Sequence, residues 1–427
     1  MKFGDLRAIL QYVPQFRDST FVIALDGAVV DSPDFSNILL DLASLRSLNI
    51  RVVLVHGAAA QIAALGEKRG IELSNVDGTG MTDEATLEVS MDAISRLSNS
   101  VMQSLTTVKI QAATANAIHA HPAGMIGGKD SGFTGTIERI DAKVLKGFLD
   151  QDILPVVPPL AFDADGQTLR VNSDVVTREV AIALGAAKII FISRENPTEI
   201  LNDGIRQLSS DDARDLLGAD QKKEVPAGFA SKIQNAAKAT RDGVPRVHLV
   251  GCTQEDALLA ELFSNEGVGV MIFADDYQKM RPATNADVDE LRLLIHRAVE
   301  DDQLVDRSRA DIISSIDDFL ILEIDGNVVG CVAVHSYSDD NIAELACLYV
   351  KSGHTGQGYG KILTKAACER AKKLGFSELF ALSTQAMGYL ENAGFERTED
   401  HERMPTERQA KWEANGRNAI LLVRNIE

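Results

Sequence analysis

Long apolar runs are absent from this chain of 427 residues. No stretch of 18 or more apolar residues occurs, so the sequence predicts no helix that spans a membrane. The first residues include an early acid, Asp5, and form no apolar segment. We therefore expect no secretory signal at this end of the chain.

Cysteine and positive charge are also scarce. The four cysteines, Cys252, Cys331, Cys347 and Cys368, form no CxxC pair, and four thiols in so long a chain are no disulfide framework, which favours a reducing cytoplasm. With 43 Lys and Arg against 62 Asp and Glu, the formal net charge is −19. This balance argues against nucleic-acid binding, and it means that an anionic substrate needs a local group of arginines or lysines.

The length predicts two domains. Up to about residue 275 the chain alternates short apolar runs with helical stretches, which is typical of a mostly parallel sheet covered on both faces. The predicted strands are Phe21–Leu25, Arg51–Val55, Ile153–Val157, Lys188–Ile192, Arg246–Val250 and Val268–Phe273. Ligands in such sheets bind at the carboxyl ends of strands, where Asp26-Gly27 and His56-Gly57 fall.

The pattern changes after the polar segment at residues 275–279. Helices predicted at Asp287–Glu300 and Arg309–Asp317 precede three consecutive strands, Phe319–Ile324, Val328–His335 and Ile342–Val350. This order predicts an α+β domain over residues 280–427, after an α/β domain over residues 1–276. A His119/His121 pair lacks an evident third ligand, so no metal site is predicted.

A glycine-rich turn follows the strand that ends at Val350. Gly356, Gly358 and Gly360 lead into a helix whose apolar residues recur at helical spacing. Such a turn exposes backbone N–H groups that can bind a diphosphate, and Lys361 adds a positive charge. With the later segment Gly388 to Phe395, this order resembles the GNAT acetyltransferase superfamily.

The GNAT resemblance implies acetyl-CoA as cosubstrate and a set of site residues. It implies Glu344 as general base and either Cys347 or Ser383 as the acid that protonates the leaving thiolate, although a buried cysteine is also an ordinary core residue. The implied coenzyme A contacts are Leu348, Tyr349, Val350, Gly356, Gln357, Gly358, Tyr359, Gly360 and Lys361. Thr355 departs from the superfamily, which usually has Arg or Gln there.

The N-terminal part resembles the amino acid kinase fold, a three-layer α/β sandwich. The segments that carry this resemblance are Val55-His56-Gly57, Asn172-Ser173-Asp174, Gly228 to Lys232, His248 to Gly251 and Leu258 to Gly269. That fold joined to a GNAT domain is the layout of the bacterial-type N-acetylglutamate synthase family. The resemblance implies L-glutamate as acceptor, with Arg307, Arg408 and Arg417 as its cationic ligands, while Gln385 and Ala419 depart from the family pattern.

The kinase-like part departs from a working kinase. Ala24 stands where a kinase of the fold has a lysine, Asp26-Gly27 replaces paired glycines, and His56-Gly57-Ala58-Ala59 replaces a triple-glycine turn. An acid at Asp26 repels ATP, and the lost lysine and glycines remove groups that bind phosphates. This domain is therefore predicted to be non-catalytic.

The family resemblance also implies feedback inhibition by L-arginine. It places Tyr12, His248, Glu261 and Gly267 at the arginine site, where Glu261 either pairs with a guanidinium or is an ordinary helix charge. The N-terminal helix is an oligomerisation element of the family, which implies a homo-oligomer such as a hexamer. Two alternatives stay open at this point: an N-acetylglutamate kinase or bifunctional enzyme, and a non-enzymatic arginine sensor.

Overall fold

A computed structural model describes most of the chain. The described residues are 16–201, 205–218, 225–254, 256–263, 267–274, 278–300, 303–324, 327–337, 341–351, 354–355, 358–414 and 419–426. The chain forms two compact units that divide between residues 275 and 276.

The N-terminal unit is an α/β structure. Its described strands are β1 Thr20–Leu25, β2 Arg51–His56, β3 Ala112–Thr114, β4 Ile118–Pro122, β5 Met125–Ile126, β6 Lys129–Asp130, β7 Gly135–Ile140, β8 Leu154–Val157, β9 Leu160–Phe162, β10 Thr168–Arg170, β11 Lys188–Ser193, β12 Gln207–Ser209, β13 Arg246–Gly251 and β14 Val270–Phe273. Its described helices are α1 Gly27–Val30, α2 Phe35–Ser47, α3 Ala59–Arg69, α4 Glu84–Thr107, α5 Ala142–Leu149, α6 Ser173–Leu184, α7 Pro197–Leu201, α8 Ser210–Asp215, α9 Ala227–Arg241 and α10 Ala257–Phe263.

Eight of these strands form one sheet in the order β12-β14-β13-β11-β1-β2-β8-β3. All neighbours are parallel except β13 and β14, which are antiparallel. Both faces are buried: Val22 of β1 packs into one apolar cluster, and Phe21 and Ile23 pack into the other. A strand buried on both faces needs apolar residues at successive positions, which is why β1 reads as a continuous apolar run.

Two features of this unit differ from the sequence prediction. The strand predicted from Val268 begins at Val270, and it is antiparallel to β13. A second sheet, in the order β10-β9-β4-β7, and the hairpin β5-β6 were not predicted. Their strands are two to six residues long and partly exposed, so they lack the long apolar runs that identify the main sheet.

The C-terminal unit is an α+β structure. Its described strands are β15 Gln278–Pro282, β16 Phe319–Ile324, β17 Asn327–Tyr337, β18 Ile342–Val350, β19 Glu378–Ser383, β20 Glu396–Thr398 and β21 Ile420–Asn425. Its described helices are α11 Val288–Glu300, α12 Arg309–Ser314, α13 Tyr359–Lys373, α14 Met387–Asn392 and α15 Thr406–Ala414, with 3₁₀ turns at Asn285–Asp287, Ile316–Asp318 and His401–Arg403.

The strands of this unit form one seven-stranded sheet in the order β15-β16-β17-β18-β19-β21-β20. Only β18 and β19 run parallel. Helix α13 covers one face, where Leu363 and Ala367 pack against Leu322. Helix α11 covers the other face, where Leu291 packs against Ile321.

Helix α12 is shorter than the predicted Arg309–Asp317. Ser308 begins it with a capping box, in which the Ser308 hydroxyl accepts a hydrogen bond from the Asp311 amide. The helix ends at Ser314, and the chain then tightens into the 3₁₀ turn Ile316–Asp318. Serine favours helix ends and turns over helix interiors, so the pair Ser314-Ser315 suits the end of this helix, which the apolar periodicity did not reveal.

Candidate active site

Strands β18 and β19 separate in the middle of the C-terminal sheet. They pair only from Ala343 with Leu379 to Leu345 with Ala381, although both strands continue further. On its other side, β18 carries a bulge, because Cys347 and Leu348 lie opposite one residue of β17. Two neighbouring strands that part in this way leave a gap with backbone groups along its edges.

Cys347 has a backbone φ of 52° at this bulge. Few non-glycine residues adopt positive φ, and such strain is held in place by the surrounding structure. The bulge turns the backbone of β18 away from regular pairing. The bulge lies in the part of β18 that no longer pairs with β19.

A cavity of about 150 Å³ opens at this gap. Six predicted site residues line it: Glu344, Cys347 and Leu348 of β18, Ser383 at the end of β19, Arg408 of α15, and Arg307. The remaining lining residues are Gln303, Leu304, Val305, Leu345, Ala346, Ala381, Leu382, Thr384, Ala386, Leu390, Trp412 and Ala419.

Glu344 is almost fully buried, with 3% of the residue exposed. Arg408 grips its carboxylate from two sides: Nε lies 3.0 Å from Oε1 and 2.8 Å from Oε2, and a terminal nitrogen lies 2.7 Å from Oε1. The Tyr337 hydroxyl donates a further bond of 3.1 Å to Oε2. A buried carboxylate with charge-assisted bonds to both oxygens is held in one orientation.

Tyr337 was not among the residues that the sequence singled out. It ends β17, where it lies opposite Ile342, two residues before Glu344 on the partner strand. Diagonal neighbours across an antiparallel pair are within reach of long side chains. The contact between Tyr337 and Glu344 could be predicted only from the register of β17 against β18. Burial, followed by the nearby Glu344 charge, raises the pKa of Tyr337, so its hydroxyl keeps its proton to donate.

Ser383 and Cys347, the two candidate acids, both line the cavity but differ in environment. The Ser383 hydroxyl is partly exposed and accepts a 2.9 Å bond from the Ala386 amide. The Cys347 thiol packs in the apolar cluster beneath α11. Burial raises the pKa of Cys347 to about 11, so the thiol stays protonated at neutral pH and gives up its proton less readily than an ordinary cysteine.

The predicted coenzyme A turn leads directly into α13. Gly358 caps that helix with a φ of 79°, a conformation that glycine adopts without strain. Gly360 lies against the Tyr389 hydroxyl, which would be 3.2 Å from a Cβ there. The Tyr389 hydroxyl also bonds Thr364 at 3.0 Å. The turn therefore brings backbone close to the tyrosine of α14.

Several predicted coenzyme A contacts can act only through their backbone. The side chains of Tyr349 and Tyr359 are buried in the two apolar clusters of this unit. Leu348 and Val350 are half-buried, and Lys361 is exposed on α13. Gly356 and Gln357 lie outside the described residues.

Arg307 and Arg408 line the same cavity, whereas Arg417 lies outside the described residues. The positive charge of Arg307 reaches Cys347, where it acts against the effect of burial on the thiol. Arg307 has no carboxylate within salt-bridge distance in the part of the chain that the structure describes. The two arginines therefore differ, because Arg408 is already paired with Glu344.

In the N-terminal unit, a cleft at the carboxyl ends of β1 and β2 contains the kinase-like residues. Lys232 of α9 lies 2.8 Å from Asp26 and 3.5 Å from Asp174. Burial alone would lower the pKa of Lys232, but the two carboxylates outweigh it and raise the pKa. The ammonium is thus neutralised inside the protein.

The turn after β1 is also filled. The Gln61 side chain of α3 donates to the Gly27 carbonyl at 2.8 Å and to Asp31 at 2.7 Å. A Cβ at Gly27 would lie 2.1 Å from the Gln61 oxygen. Side chains of the protein therefore occupy the space next to the residues that replace the phosphate-binding glycines.

Two of the predicted arginine-site residues, His248 and Glu261, form a buried network with Lys188, and Gly267 lies beside the Glu261 carboxylate. Burial, followed by the Lys188 charge, lowers the pKa of His248 to about 4, so the ring is neutral. Its Nδ1 donates to Glu261 at 2.7 Å, and its Nε2 accepts from the Lys188 ammonium at 3.3 Å.

Both oxygens of Glu261 are engaged within the protein. One accepts from His248, and the other accepts from the amides of Val268 and Gly269 at 2.8 and 2.7 Å. Gly267 has a φ of 63° and leaves room for this carboxylate, which would be 2.7 Å from a Cβ. In this structure the Glu261 carboxylate holds the segment before β14 through these hydrogen bonds. The fourth predicted residue, Tyr12, lies outside the described residues.

The described residues contain neither a metal-binding group nor a membrane-spanning helix. No group of three His, Cys, Asp or Glu side chains there is arranged to hold a metal ion. None of the described helices is long and apolar enough to cross a membrane.

Comparisons with known proteins match both units. Residues 19–251 match the amino acid kinase family, and residues 285–395 match the acetyltransferase (GNAT) family. The amino-acid acetyltransferase of Shewanella oneidensis is 34% identical over 421 residues, which cover 96% of this chain and 94% of that protein. The amino-acid acetyltransferase of Aeromonas salmonicida is 32% identical over 424 residues, covering 96% and 95%.

Solved structures of N-acetylglutamate synthase from Neisseria gonorrhoeae are also similar. The complex with coenzyme A and N-acetyl-glutamate has a TM-score of 0.64 and 28% identity, and it covers 100% of both chains. The complex with coenzyme A and L-arginine has a TM-score of 0.77 and 26% identity, covering 100% of this chain and 99% of the other.

Proposed function

The chain belongs to the amino-acid acetyltransferase family, and we propose that its acceptor is the α-amino group of L-glutamate. It is an acyltransferase with acetyl-CoA as cosubstrate. The proposed products are N-acetyl-L-glutamate and coenzyme A, in the first step of arginine biosynthesis. The reducing cytoplasm is the proposed compartment, which fits four cysteines that are all free thiols.

The observation that carries this proposal is the pair of arginines at the cavity where β18 and β19 part. Arg307 and Arg408 line it together with Glu344. A glutamate molecule has two carboxylates and one amine, and guanidinium groups suit carboxylates because they donate paired hydrogen bonds. The cavity therefore offers a cation for each carboxylate and an anion for the amine.

The proposed mechanism is direct transfer. The acetyl thioester lies in the gap between the strands, where backbone N–H groups near Leu348 polarise its carbonyl. Glu344 takes a proton from the substrate ammonium, directly or through a water, and the neutral amine attacks the carbonyl carbon. The C–N bond forms and the C–S bond breaks. Ser383 donates its proton to the departing thiolate and takes up the second proton of the nitrogen, while Glu344 releases the first proton to water.

We assign the kinase-like unit a non-catalytic role. The alternative of an N-acetylglutamate kinase, alone or with the synthase, needs a cation free to bind phosphate. Lys232 is instead paired with Asp26 and Asp174, and Ala24 provides no replacement. The same unit is the proposed site of feedback inhibition by L-arginine, a ligand that the similar N. gonorrhoeae enzyme binds. A homo-oligomer, with a hexamer as the expected form, remains part of the proposal.

Parallel assays on the purified protein separate these functions. Thiol release is measured with acetyl-CoA and L-glutamate, and ADP release with ATP and N-acetyl-L-glutamate, each with and without L-arginine. We expect thiol release only, reduced by arginine. ADP release would support the kinase alternative, and a flat arginine titration would remove the regulatory role. Arginine binding without either reaction would support the non-enzymatic sensor.

The Glu344→Gln variant tests the proposed base. Glutamine keeps the size of the side chain but does not accept a proton, so kcat should fall by about 100-fold or more, the usual contribution of a general base. Coenzyme A binding, measured by calorimetry, should stay nearly unchanged because the glycine turn is separate. An unaltered kcat would exclude Glu344 as the base.

A further inference from the structure

Two cations and one anion, Arg307, Arg408 and Glu344, line the cavity of the C-terminal unit. Glu344 is paired with Arg408, and its carboxylate also accepts a bond from Tyr337. Arg307 lines the same cavity and is paired with no carboxylate among the residues that the structure describes. The proposed base is therefore already occupied by a cation, while a second cation is available.

A base held in this way cannot readily take a proton from an incoming ammonium. Arg408 supplies three hydrogen bonds, which cover both oxygens of Glu344. An ammonium that approaches must therefore displace a guanidinium. Removing one partner from a buried ion pair is strongly unfavourable unless another partner replaces it.

L-Glutamate carries the groups that make such a replacement possible. We infer that substrate binding exchanges ion pairs: one substrate carboxylate takes Arg307, the second draws Arg408 away from Glu344, and the α-ammonium takes the place of Arg408. Three anions and three cations are then all paired. This inference rests on the proposed function, because it takes L-glutamate as the acceptor.

The positions of the three side chains suit this exchange. The Arg408 side chain is 24% exposed, whereas that of Glu344 is 4% exposed, so the guanidinium lies on the more open side of the pair. Tyr337 bonds Glu344 independently of Arg408 and can hold the carboxylate when the arginine turns away. Arg408 is thus a specificity-determining residue that acts through Glu344.

The exchange places selectivity in the chemical step. An amino acid without the carboxylate that draws Arg408 leaves the base occupied, so it can bind and still react slowly. An amino acid without the other carboxylate only binds more weakly. The loss of one carboxylate should therefore lower kcat, and the loss of the other should mainly raise KM.

The test compares L-glutamate with its two amides, L-glutamine and L-isoglutamine, as acceptors of the whole protein. We expect one amide to keep kcat within about threefold of glutamate with a raised KM. The other should lose kcat by about 100-fold, the magnitude of lost general-base catalysis. In Arg408→Gln that difference in kcat should fall to about threefold or less, because no guanidinium competes for Glu344.

Arg281→Gln is the matched control. Arg281 also forms a two-bond pair with a carboxylate of the same unit, Asp287, and it contacts Glu323 as well; the Arg281 and Asp287 side chains are 25% and 10% exposed. It does not line the cavity, so the variant should keep the wild-type pattern with all three acceptors.

A measurement on the wild-type protein avoids dependence on the folding of Arg408→Gln. Sodium acetate added to the amide with the low kcat should raise kcat several-fold, because a free carboxylate can draw Arg408 away, and it should not accelerate glutamate. Two amides with unchanged kcat, or no effect of acetate, would overturn the inference. Failure of the proposed function would give a different result from failure of the ion-pair exchange, because no thiol would be released with L-glutamate.

Discussion

At the scale of single residues, Ser383 and Cys347 are the two candidates for the acid that protonates the departing thiolate. Ser383 is partly exposed at the end of β19, and its hydroxyl is oriented by the Ala386 amide. Cys347 is packed among apolar side chains, and burial raises its pKa. Access rather than acidity therefore favours Ser383 as the acid: a serine hydroxyl is a weaker acid than a thiol, but this hydroxyl is partly exposed at the cavity, whereas the thiol packs in the apolar cluster.

Alanine substitutions separate the two acids. Ser383→Ala should lower kcat by about 100-fold or more, because general acids contribute on this scale. Cys347→Ala should leave kcat within about threefold and lower the free energy of unfolding by about 1 kcal/mol, since it removes a small buried group. Thiol release and urea unfolding measure the two effects. The opposite order of kcat values would make Cys347 the acid.

His56 provides a prediction about pH. It is fully buried, its Nε2 bonds the Ser98 hydroxyl at 2.8 Å, and burial lowers its pKa from 6.5 to about 4. Between these values the unfolded chain binds a proton that the folded protein does not, so stability falls as pH drops below 6.5. The loss is complete near pH 4.

Urea unfolding at pH 7 and pH 5 tests this effect. On acidification from pH 7 to pH 5, the free energy of unfolding of the wild-type protein should fall by about 2 kcal/mol more than that of His56→Gln. This figure follows from about 1.36 kcal/mol for each pH unit over which only the unfolded chain is protonated. Glutamine can keep a hydrogen bond to Ser98 but does not titrate. Equal losses in the two proteins would mean that His56 is accessible to protons in the folded state.

The sequence predicted these residues unevenly. Glu344 and Cys347 on one strand, and Ser383 at the end of the next, were selected because they match a family pattern, and the structure brings them to one cavity. The Arg408–Glu344 pair spans 64 positions and was not predicted. Spacing along a strand or helix reports which face a residue occupies, but a contact between distant elements depends on how the sheet is assembled.

At the scale of elements, α13 has a glycine with positive φ at each end. Gly358 precedes its first turn with a φ of 79°, and Gly375 follows its last turn with a φ of 93°. A Cβ would have open space at both positions. A residue with a Cβ would therefore meet similar backbone strain at the two positions, which differ only in the end of the helix at which they lie.

Alanine at each position tests the coenzyme A turn. Gly358→Ala should raise the KM for acetyl-CoA about tenfold, since a left-handed conformation costs a residue with a Cβ about 1–2 kcal/mol and the turn would relax away from it. Gly375→Ala carries the same strain and should lower only the melting temperature. Equal KM values in both variants would show that the diphosphate does not depend on this turn.

The main elements were easier to predict than the small ones. Strands such as β11, and helices such as α11, have buried positions in regular patterns, and their predicted bounds lie within one or two residues of the observed ones. The sheet formed by β10, β9, β4 and β7 was missed because short, half-exposed strands owe their pairing to neighbours more than to their own composition.

At the scale of the whole molecule, the N-terminal unit matches the amino acid kinase family, and we propose that the chemistry belongs to the C-terminal unit alone. Lys232 joins β1 to α6 and α9 through Asp26 and Asp174. A lysine so deeply buried and doubly paired stabilises the fold rather than a ligand. Its removal leaves Asp174 buried without its cation, which is strongly destabilising.

Lys232→Met tests this structural role. The free energy of unfolding should fall by about 3 kcal/mol, as expected when one partner of a buried ion pair is removed. The initial rate of thiol release at 25 °C should stay within about twofold of wild type, because the chemistry is in the other unit. Lys238→Met, on the exposed face of the same helix, is the control. A large loss of rate in a folded Lys232→Met protein would assign this lysine a role in acetyl transfer.

The Gln61 side chain against Gly27 bears on whether single substitutions could make this cleft bind phosphate. A lysine at Ala24 would bury a new charge in a strand core, and removing Asp26 would strip Lys232 of its nearer partner. Neither change clears Gln61 from the turn. Each of these substitutions therefore costs stability without completing a phosphate site, so a kinase activity would need several compensating changes at once.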